Sequence, residues 1–312
     1  MTGASPPTLS VVVPVYNEAG NIAPLFTEIS EVMTEIGRSF EVLYVNDGST
    51  DATLHQLQEL AAGAPCLRII DLDGNFGEAG ALSAGFRAAR GDLVITLDGD
   101  GQNDPRDIPR LIETLERGGY QVVSGWRQAR QEGLLLRVLP SRLANGLIRR
   151  VSGVPTHDNG CGLKVYRRAV VQRAVLPRGM NRFMPAIFGV TADEVAEVPV
   201  NDRRRQHGQS HYGISRTLVV LRDLLALRFI IANPKGGERA WLAVVVASLV
   251  AQVGAGWTRY GLLSSAATVV MGVALMIWWN VRRFNRAQDD GVFRVRREYA
   301  AFPARVASTA RA

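Results

Sequence analysis

With 312 residues, 47% of them hydrophobic and 21% charged, the chain sits at the apolar end for a soluble protein yet is too charged for a polytopic membrane protein. A soluble part joined to a membrane part fits those totals. The net charge of +7 allows nucleic acid, an anionic membrane surface or phosphorylated substrates as partners. Cys66 and Cys161 stand far apart without metal-ligand spacing, which excludes a disulfide framework or zinc site and fits a reducing compartment.

The opening MTGASPPTLS has neither a basic patch nor an apolar stretch, so it is not a secretory signal, and the N-terminal domain is expected in the cytoplasm. LSVVVPVY, FEVLYV, LRIIDL, DLVITLD and YQVVSG then read as strands, each followed by a helical stretch. That alternation predicts a mostly parallel sheet covered by helices, with ligands at the carboxyl ends of its strands. CGLKVYRR and EVAEVPV follow as later edge strands, giving a single α/β domain over 1–212.

ISRTLVVLRDLLALRFIIANP carries apolar residues at helical spacing among arginines and is expected as an amphipathic juxtamembrane helix over 213–234. From Ala240 to Thr258, and again from Tyr260 to Val281, no residue is charged. Each stretch is about the ~20 residues that cross a bilayer as a helix, so two transmembrane helices are expected within 235–281. Lys235 and Arg239 before them, and Arg282, Arg283 and Arg286 after them, place both ends in the cytoplasm by the positive-inside rule. The basic tail 282–312 is expected to lie on the membrane surface and not to bind nucleic acid.

Polar residues cluster at the expected strand ends: PVYNEAGN, NDGSTD, DGDGQNDP and GWR. In TLDGDGQNDP, an EF-hand loop starting at Asp98 would need Gly and Glu where Asn103 and Pro109 stand. GNFGEAG lacks the glycine spacing of dinucleotide folds, and no G-x-x-x-x-G-K loop occurs. Turn chemistry accounts for Asp, Gly and Asn in such a stretch, but two carboxylates one residue apart repel unless a cation neutralises them. Asp98, Asp100 and Gln102 suit Mg²⁺ or Mn²⁺ that arrives with a diphosphate. Asp104, beside Pro105 and before a helix, reads as a turn or cap residue.

SVVVPVYNEAGNI, VNDGSTDAT and LDGDGQNDP, in this order, resemble the successive motifs of family 2 glycosyltransferases with the GT-A fold. GNFGEAGALSAGFRAARGD, DNGCGLKVYRR, NRFMP and RQHGQSHYG further resemble the polyprenyl-phosphate glycosyltransferases, over roughly residues 8 to 230. The resemblance implies that Pro14, Tyr16, Glu18 and Asp47 hold the nucleotide base and ribose, with Asp98 beside them. It implies that Asp98, Asp100 and Gln102 hold the metal and the donor diphosphate, and that Arg127, Arg137 and Ser141 receive the lipid phosphate. Asp158 falls where the family places an acidic residue near the reacting sugar, and reads as an orienting group more than a proton acceptor. Arg205, Ser210 and His211 resemble the loop that closes over the diphosphate, although His211 stands where Lys is frequent.

The implied enzyme moves a sugar, with inversion, from a nucleotide sugar to a polyprenyl phosphate such as undecaprenyl phosphate. The donor is expected to be a uridine-diphosphate sugar in preference to GDP-mannose. Asp100, Asp158 and Arg205 are the expected catalytic set, the place is the cytoplasmic face of the inner membrane, and assembly through the membrane helices is expected. A processive polysaccharide synthase and a non-catalytic scaffold on the same fold are the rival readings. The first lacks its Q-x-x-R-W stretch here, and the second predicts loss of metal residues that are present.

Overall fold

The computed structural model describes residues 7–128, 139–203, 215–257 and 261–300. Its centre is an eight-stranded sheet in the order β7-β5-β6-β4-β1-β2-β3-β8. The strands are β1 (Leu9–Val15), β2 (Phe40–Asn46), β3 (Leu67–Leu72), β4 (Leu93–Thr96), β5 (Val122–Trp126), β6 (Lys164–Arg167), β7 (Val195–Pro199) and β8 (Val295–Ala300). β1, β2, β3 and β4 run parallel, as do β5 and β7, whereas β6 is antiparallel to β4 and β5, and β8 to β3.

The apolar run of β1 is buried on both faces, as a central parallel strand requires. Val11 and Val13 face one helical layer, made by α1 (Ile22–Ile36), α2 (Thr53–Gly63) and, further along the chain, α4 (Ile108–Gly118). Val12 faces the other layer, made by α3 (Gly77–Ala88) with the short α6 (Arg168–Val171) and α7 (Met184–Ile187). The small residues of α3 let it lie close to the sheet: a methyl on Gly85 would stand 2.3 Å from Val12 Cγ1.

A third cluster joins α5 (Leu139–Ser152), α8 (Ser215–Ala232) and α10 (Gly261–Asp290), with Ile148, Leu224, Leu227, Ile230, Ile277 and Phe284 buried among them. The stretch expected as a juxtamembrane helix forms α8, which packs in this cluster. Its opposite face leaves Leu225 and Ile231 exposed. α9 (Pro234–Trp257) and α10 form a hairpin, tied by Gln252 donating to Thr268 Oγ1 at 2.7 Å and Asn285 donating to Glu238 at 2.6 Å.

Among the described residues one helix, Pro234–Val253, is long and apolar enough to cross a membrane, and only 6% of that window is buried. A helix in the core of a soluble protein would instead be covered. Leu249, Val250 and Val253 on α9, and Val269, Val270 and Trp279 on α10, are more than half exposed or close to it. The expectation of two spans is thus met by this measure for one helix; α10, whose side chains are described from residue 266 onward, does not meet it. The expected boundaries also shift at the C-terminal end. α10 continues through Arg282, Arg283 and Arg286 to Asp290, and residues 295–300 return to the sheet as β8 instead of lying apart as a tail. Arg68 holds them there, bridging Glu41 at 2.5 Å and Glu298 at 2.5 Å.

Candidate active site

Parallel strands that end together bring their following loops together. The loops after β1 and β2 are laced by Asn17, whose Oδ1 accepts the Thr50 N–H at 2.8 Å and whose own N–H donates to Ser49 Oγ at 3.0 Å. Asn17 takes a φ of 56°, a left-handed conformation that Asn tolerates better than most residues. Pro14 is the penultimate residue of β1, Tyr16 is 44% exposed, and Glu18 accepts from Asn21 at 2.6 Å. Burial alone would raise Asp51, but bonds from Thr53 and Ala19 hold its carboxyl below the usual range.

Asp47 points inward. Its two carboxylate oxygens accept the backbone N–H groups of Phe76 at 2.7 Å and Gly77 at 2.8 Å, at the start of α3. Burial raises its pKa, opposed by those two bonds and by Arg178. The visible task of Asp47 is thus to fix the α3 N-terminus against the end of β2, where the helix dipole favours a carboxylate.

The loop after β4 carries Asp98, Asp100 and Gln102. Asp98 donates its N–H to Asn103 Oδ1 at 3.1 Å, and Asp100 accepts the Gln102 N–H at 3.0 Å. Gln102 exchanges backbone and side-chain bonds with Arg203, and Asn103 bridges to Asp202, so the chain just past β7 pairs with this loop. Asp104 is a cap, as expected: it accepts the Arg106 N–H at 3.0 Å and pairs with Arg203 at 2.6 Å.

Burial, then the charges of Glu78 and Asp100, push Asp98 up to about 8, against Arg127 and Lys164. Such a carboxylate pair is a strong electrostatic sink for a cation. Among the described residues no group of three or more His, Cys, Asp and Glu could hold a metal by itself. Two carboxylates and an amide fit a hard divalent cation that takes its remaining oxygens from a ligand.

On the other side of the site Arg127 and Asp158 form a two-pronged pair, Nε to Oδ2 at 2.8 Å and Nη2 to Oδ1 at 3.1 Å, with Asp158 2% exposed. Burial alone would lower the Arg127 guanidinium, but the bond and charge of Asp158 outweigh it and raise it above its ordinary value. Gly162 then passes so close to Asp98 that a Cβ there would lie 2.3 Å from its carboxyl atoms. Lys164 is buried and donates to the carbonyls of Cys161 and Asn159. Burial pushes the Cys161 thiol up to about 11, so it stays neutral.

Arg137, Arg205, Ser210 and His211 lie outside the described residues, and Ser141 falls on α5 at a position whose side chain is not described. The structure gathers Asp98, Asp100, Gln102, Arg127 and Asp158 at the carboxyl ends of the sheet, with Tyr16 and Glu18 beside the β2 loop. Glu78 and Lys164, which lie within the GNFGEAG and DNGCGLK motifs but have no role implied there, join them, as do His157, Glu197 and Arg203.

A family model described as "Glycosyl transferase family 2" matches residues 10–174. The chain is 38% identical over 280 residues to the undecaprenyl-phosphate 4-deoxy-4-formamido-L-arabinose transferase of Pseudomonas aeruginosa, covering 86% of this chain and 82% of that one. The chain belongs to glycosyl transferase family 2. Another relative is the dodecaprenyl-phosphate galacturonate synthase of Rhizobium johnstonii, 44% identical over 224 residues, with 71% of this chain and 66% of that protein aligned. Among solved structures, glucosyl-3-phosphoglycerate synthase from Mycobacterium tuberculosis, crystallised with Mn²⁺, UDP-glucose and phosphoglyceric acid, shares the fold. It superposes with a TM-score of 0.55 at 21% identity, over 72% of this chain and 79% of that one. The family 2 fold is thus the α/β GT-A arrangement expected from the strand-end motifs.

Proposed function

We propose that this family 2 enzyme transfers a sugar from a nucleotide diphosphate sugar, preferentially a uridine-diphosphate sugar, to a polyprenyl phosphate at the membrane face that carries the α/β domain. The observation that carries the reading is the meeting of the Asp98–Asp100 pair with the Arg127–Asp158 pair at one end of the sheet, on a domain joined to an exposed apolar hairpin. The names of its relatives, which act on dodecaprenyl and undecaprenyl phosphate, support the acceptor.

In the reaction a phosphate oxygen of the polyprenyl phosphate bonds to the anomeric carbon, and the bond from that carbon to the donor diphosphate breaks with inversion. The nucleoside diphosphate departs with the bonding electrons. The phosphate nucleophile is ionised at neutral pH, so it needs orientation and exclusion of water more than a base. Asp158 serves as an orienting group by fixing the Arg127 fork, whose guanidinium recognises phosphate. Tyr16, Glu18 and the β2 loop line the nucleotide side, with Asp47 acting from behind through α3. Asp98, Asp100 and Gln102 would hold Mg²⁺ or Mn²⁺, which when bound neutralises charge on the departing diphosphate. The motif resemblance assigns Arg205, Ser210 and His211 to the diphosphate and Arg137 and Ser141 to the acceptor phosphate, all of them outside the described residues or, for Ser141, without a described side chain.

Both ends of the hairpin lie on the side of the α/β domain, since β8 pairs with β3. With basic residues flanking the hairpin, that side is the cytoplasm. Incubating membranes that contain the enzyme with labelled nucleotide sugars, undecaprenyl phosphate and Mg²⁺ or Mn²⁺ tests the reading. The expected product is a lipid-linked monosaccharide that Asp100→Ala abolishes. No lipid-linked sugar with any donor would sink the proposal.

A further inference from the structure

His157 stands at the edge of the site without a role in the chemistry above. Its ring stacks on Trp126, the last residue of β5, with centroids 4.6 Å apart and planes 19° from parallel. Nδ1 lies 2.7 Å from Glu197 Oε2, while Oε1 of the same carboxylate accepts the backbone N–H of His157 at 2.8 Å and of Asp158 at 3.2 Å. One β7 carboxylate, its side chain 10% exposed, thus fixes both the ring and the main chain beside it. With Nδ1 committed to Glu197, the other ring nitrogen, Nε2, makes no hydrogen bond among the described residues, on a side chain that is 50% exposed.

Two rungs therefore follow in successive residues of the same two segments: Trp126 on His157, and Arg127 on Asp158. The second has its guanidinium charge matched by a buried carboxylate, so a phosphate arriving there needs a further donor. The first offers one, when its ring is an imidazolium, a single residue along the chain. Nε2 of the imidazolium donates to a phosphate oxygen, whereas Nε2 of the neutral ring can only accept, and so pairs only with a phosphate that still carries a proton.

We infer that His157 is an acceptor-phosphate ligand: its Nε2, on a ring fixed by Glu197 and Trp126 one residue along the chain from the Arg127–Asp158 pair, hydrogen-bonds the phosphate monoester of the polyprenyl substrate. This rests on the proposed function for the identity of the phosphate. The donor diphosphate is the other phosphate in the reaction, and separate kinetics for the two substrates tell them apart.

The test uses the full-length membrane enzyme and three variants. His157→Phe keeps an aromatic ring on Trp126 and removes both nitrogens; it is expected to raise KM for polyprenyl phosphate about tenfold, with kcat and the nucleotide-sugar KM within twofold. His157→Gln carries an amide to the reach of Nε2 and is expected to recover much of that loss. His157→Asn reaches only as far as Nδ1 and is expected not to recover it. Recovery by Asn and not by Gln would assign His157 to loop anchoring through Glu197 and overturn the inference, as would an unchanged acceptor KM in the Phe variant. Equilibrium binding of labelled polyprenyl phosphate without donor separates this from failure of the transferase reading. Tenfold weaker binding by His157→Phe, with no sugar transferred by the parent enzyme, removes the reaction but keeps the site. Equal binding by both proteins, or none by either, removes the site.

Discussion

One methyl group at Gly162 is enough to test whether Asp98 is held where donor binding needs it. Its Cβ would lie 2.3 Å from Asp98 Cγ, Oδ1 and Oδ2, where ordinary contact begins at 3.4 Å. The backbone there cannot drift freely, because Thr96 Oγ1 donates to the Gly162 carbonyl at 2.7 Å. The carboxyl must therefore retreat by about 1 Å, and a displacement of that size in a positioning group costs about 10²-fold in rate. The end of a short side chain yields more readily than backbone, so the cost to the fold is at the low end of the ~1–3 kcal/mol of overpacking. Gly162→Ala is thus expected to fold, to melt within a few degrees of the parent, and to lose about 10²-fold in sugar transfer with weaker Mn²⁺ dependence. Initial rates over a Mn²⁺ titration, beside a thermal melt, measure all three. Transfer within twofold of the parent at every Mn²⁺ concentration would refute the placement of Asp98 in the site.

The raised Asp98 gives a pH signature: below about 8 its carboxyl holds a proton that a metal must displace. Metal affinity in a titration is expected to rise with pH from 6.5 to 8 and level off above, and Asp98→Asn should flatten that slope. Asp158→Ala strands the Arg127 charge, whose side chain is 15% exposed; a loss of about 3 kcal/mol is expected in denaturant unfolding of detergent-solubilised enzyme. Arg127→Met with Asp158→Leu should recover part of it. On the exposed flank of α9, Val250→Lys should cost ~2.5–3.5 kcal/mol of insertion in a bilayer and next to nothing in water. Partial release of that variant by alkaline carbonate, with the parent retained, is the expected result.

Seven of the eight strands were legible, most of them as apolar runs that make sense alone, as VVVPV in β1 does. β8 was not. VRREYA carries three charged residues in six, and becomes a strand through Arg68, which grips Glu298 from 230 positions away. The candidate site divides along the same line. Asp98 and Asp100 announce themselves because two neighbouring carboxylates conflict locally, whereas His157 and Glu197 meet across 40 residues and only after β5 and β7 have paired. Asp47 shows the opposite failure: its motif was plain, but the inward turn of its carboxylate depends on where α3 begins. In the C-terminal third, hydropathy located both helices of the hairpin but gave no hint that α10 would outrun its apolar stretch.

β8 also sets an order of assembly. A ribosome makes β3 more than 200 residues before the strand that covers it, and every residue of the hairpin lies between them. Until the hairpin has emerged, the newborn sheet ends in a row of open backbone donors and acceptors along β3. A gene cut after residue 212 would therefore encode an unfinished sheet, whose raw edge is free to pair with its own copies.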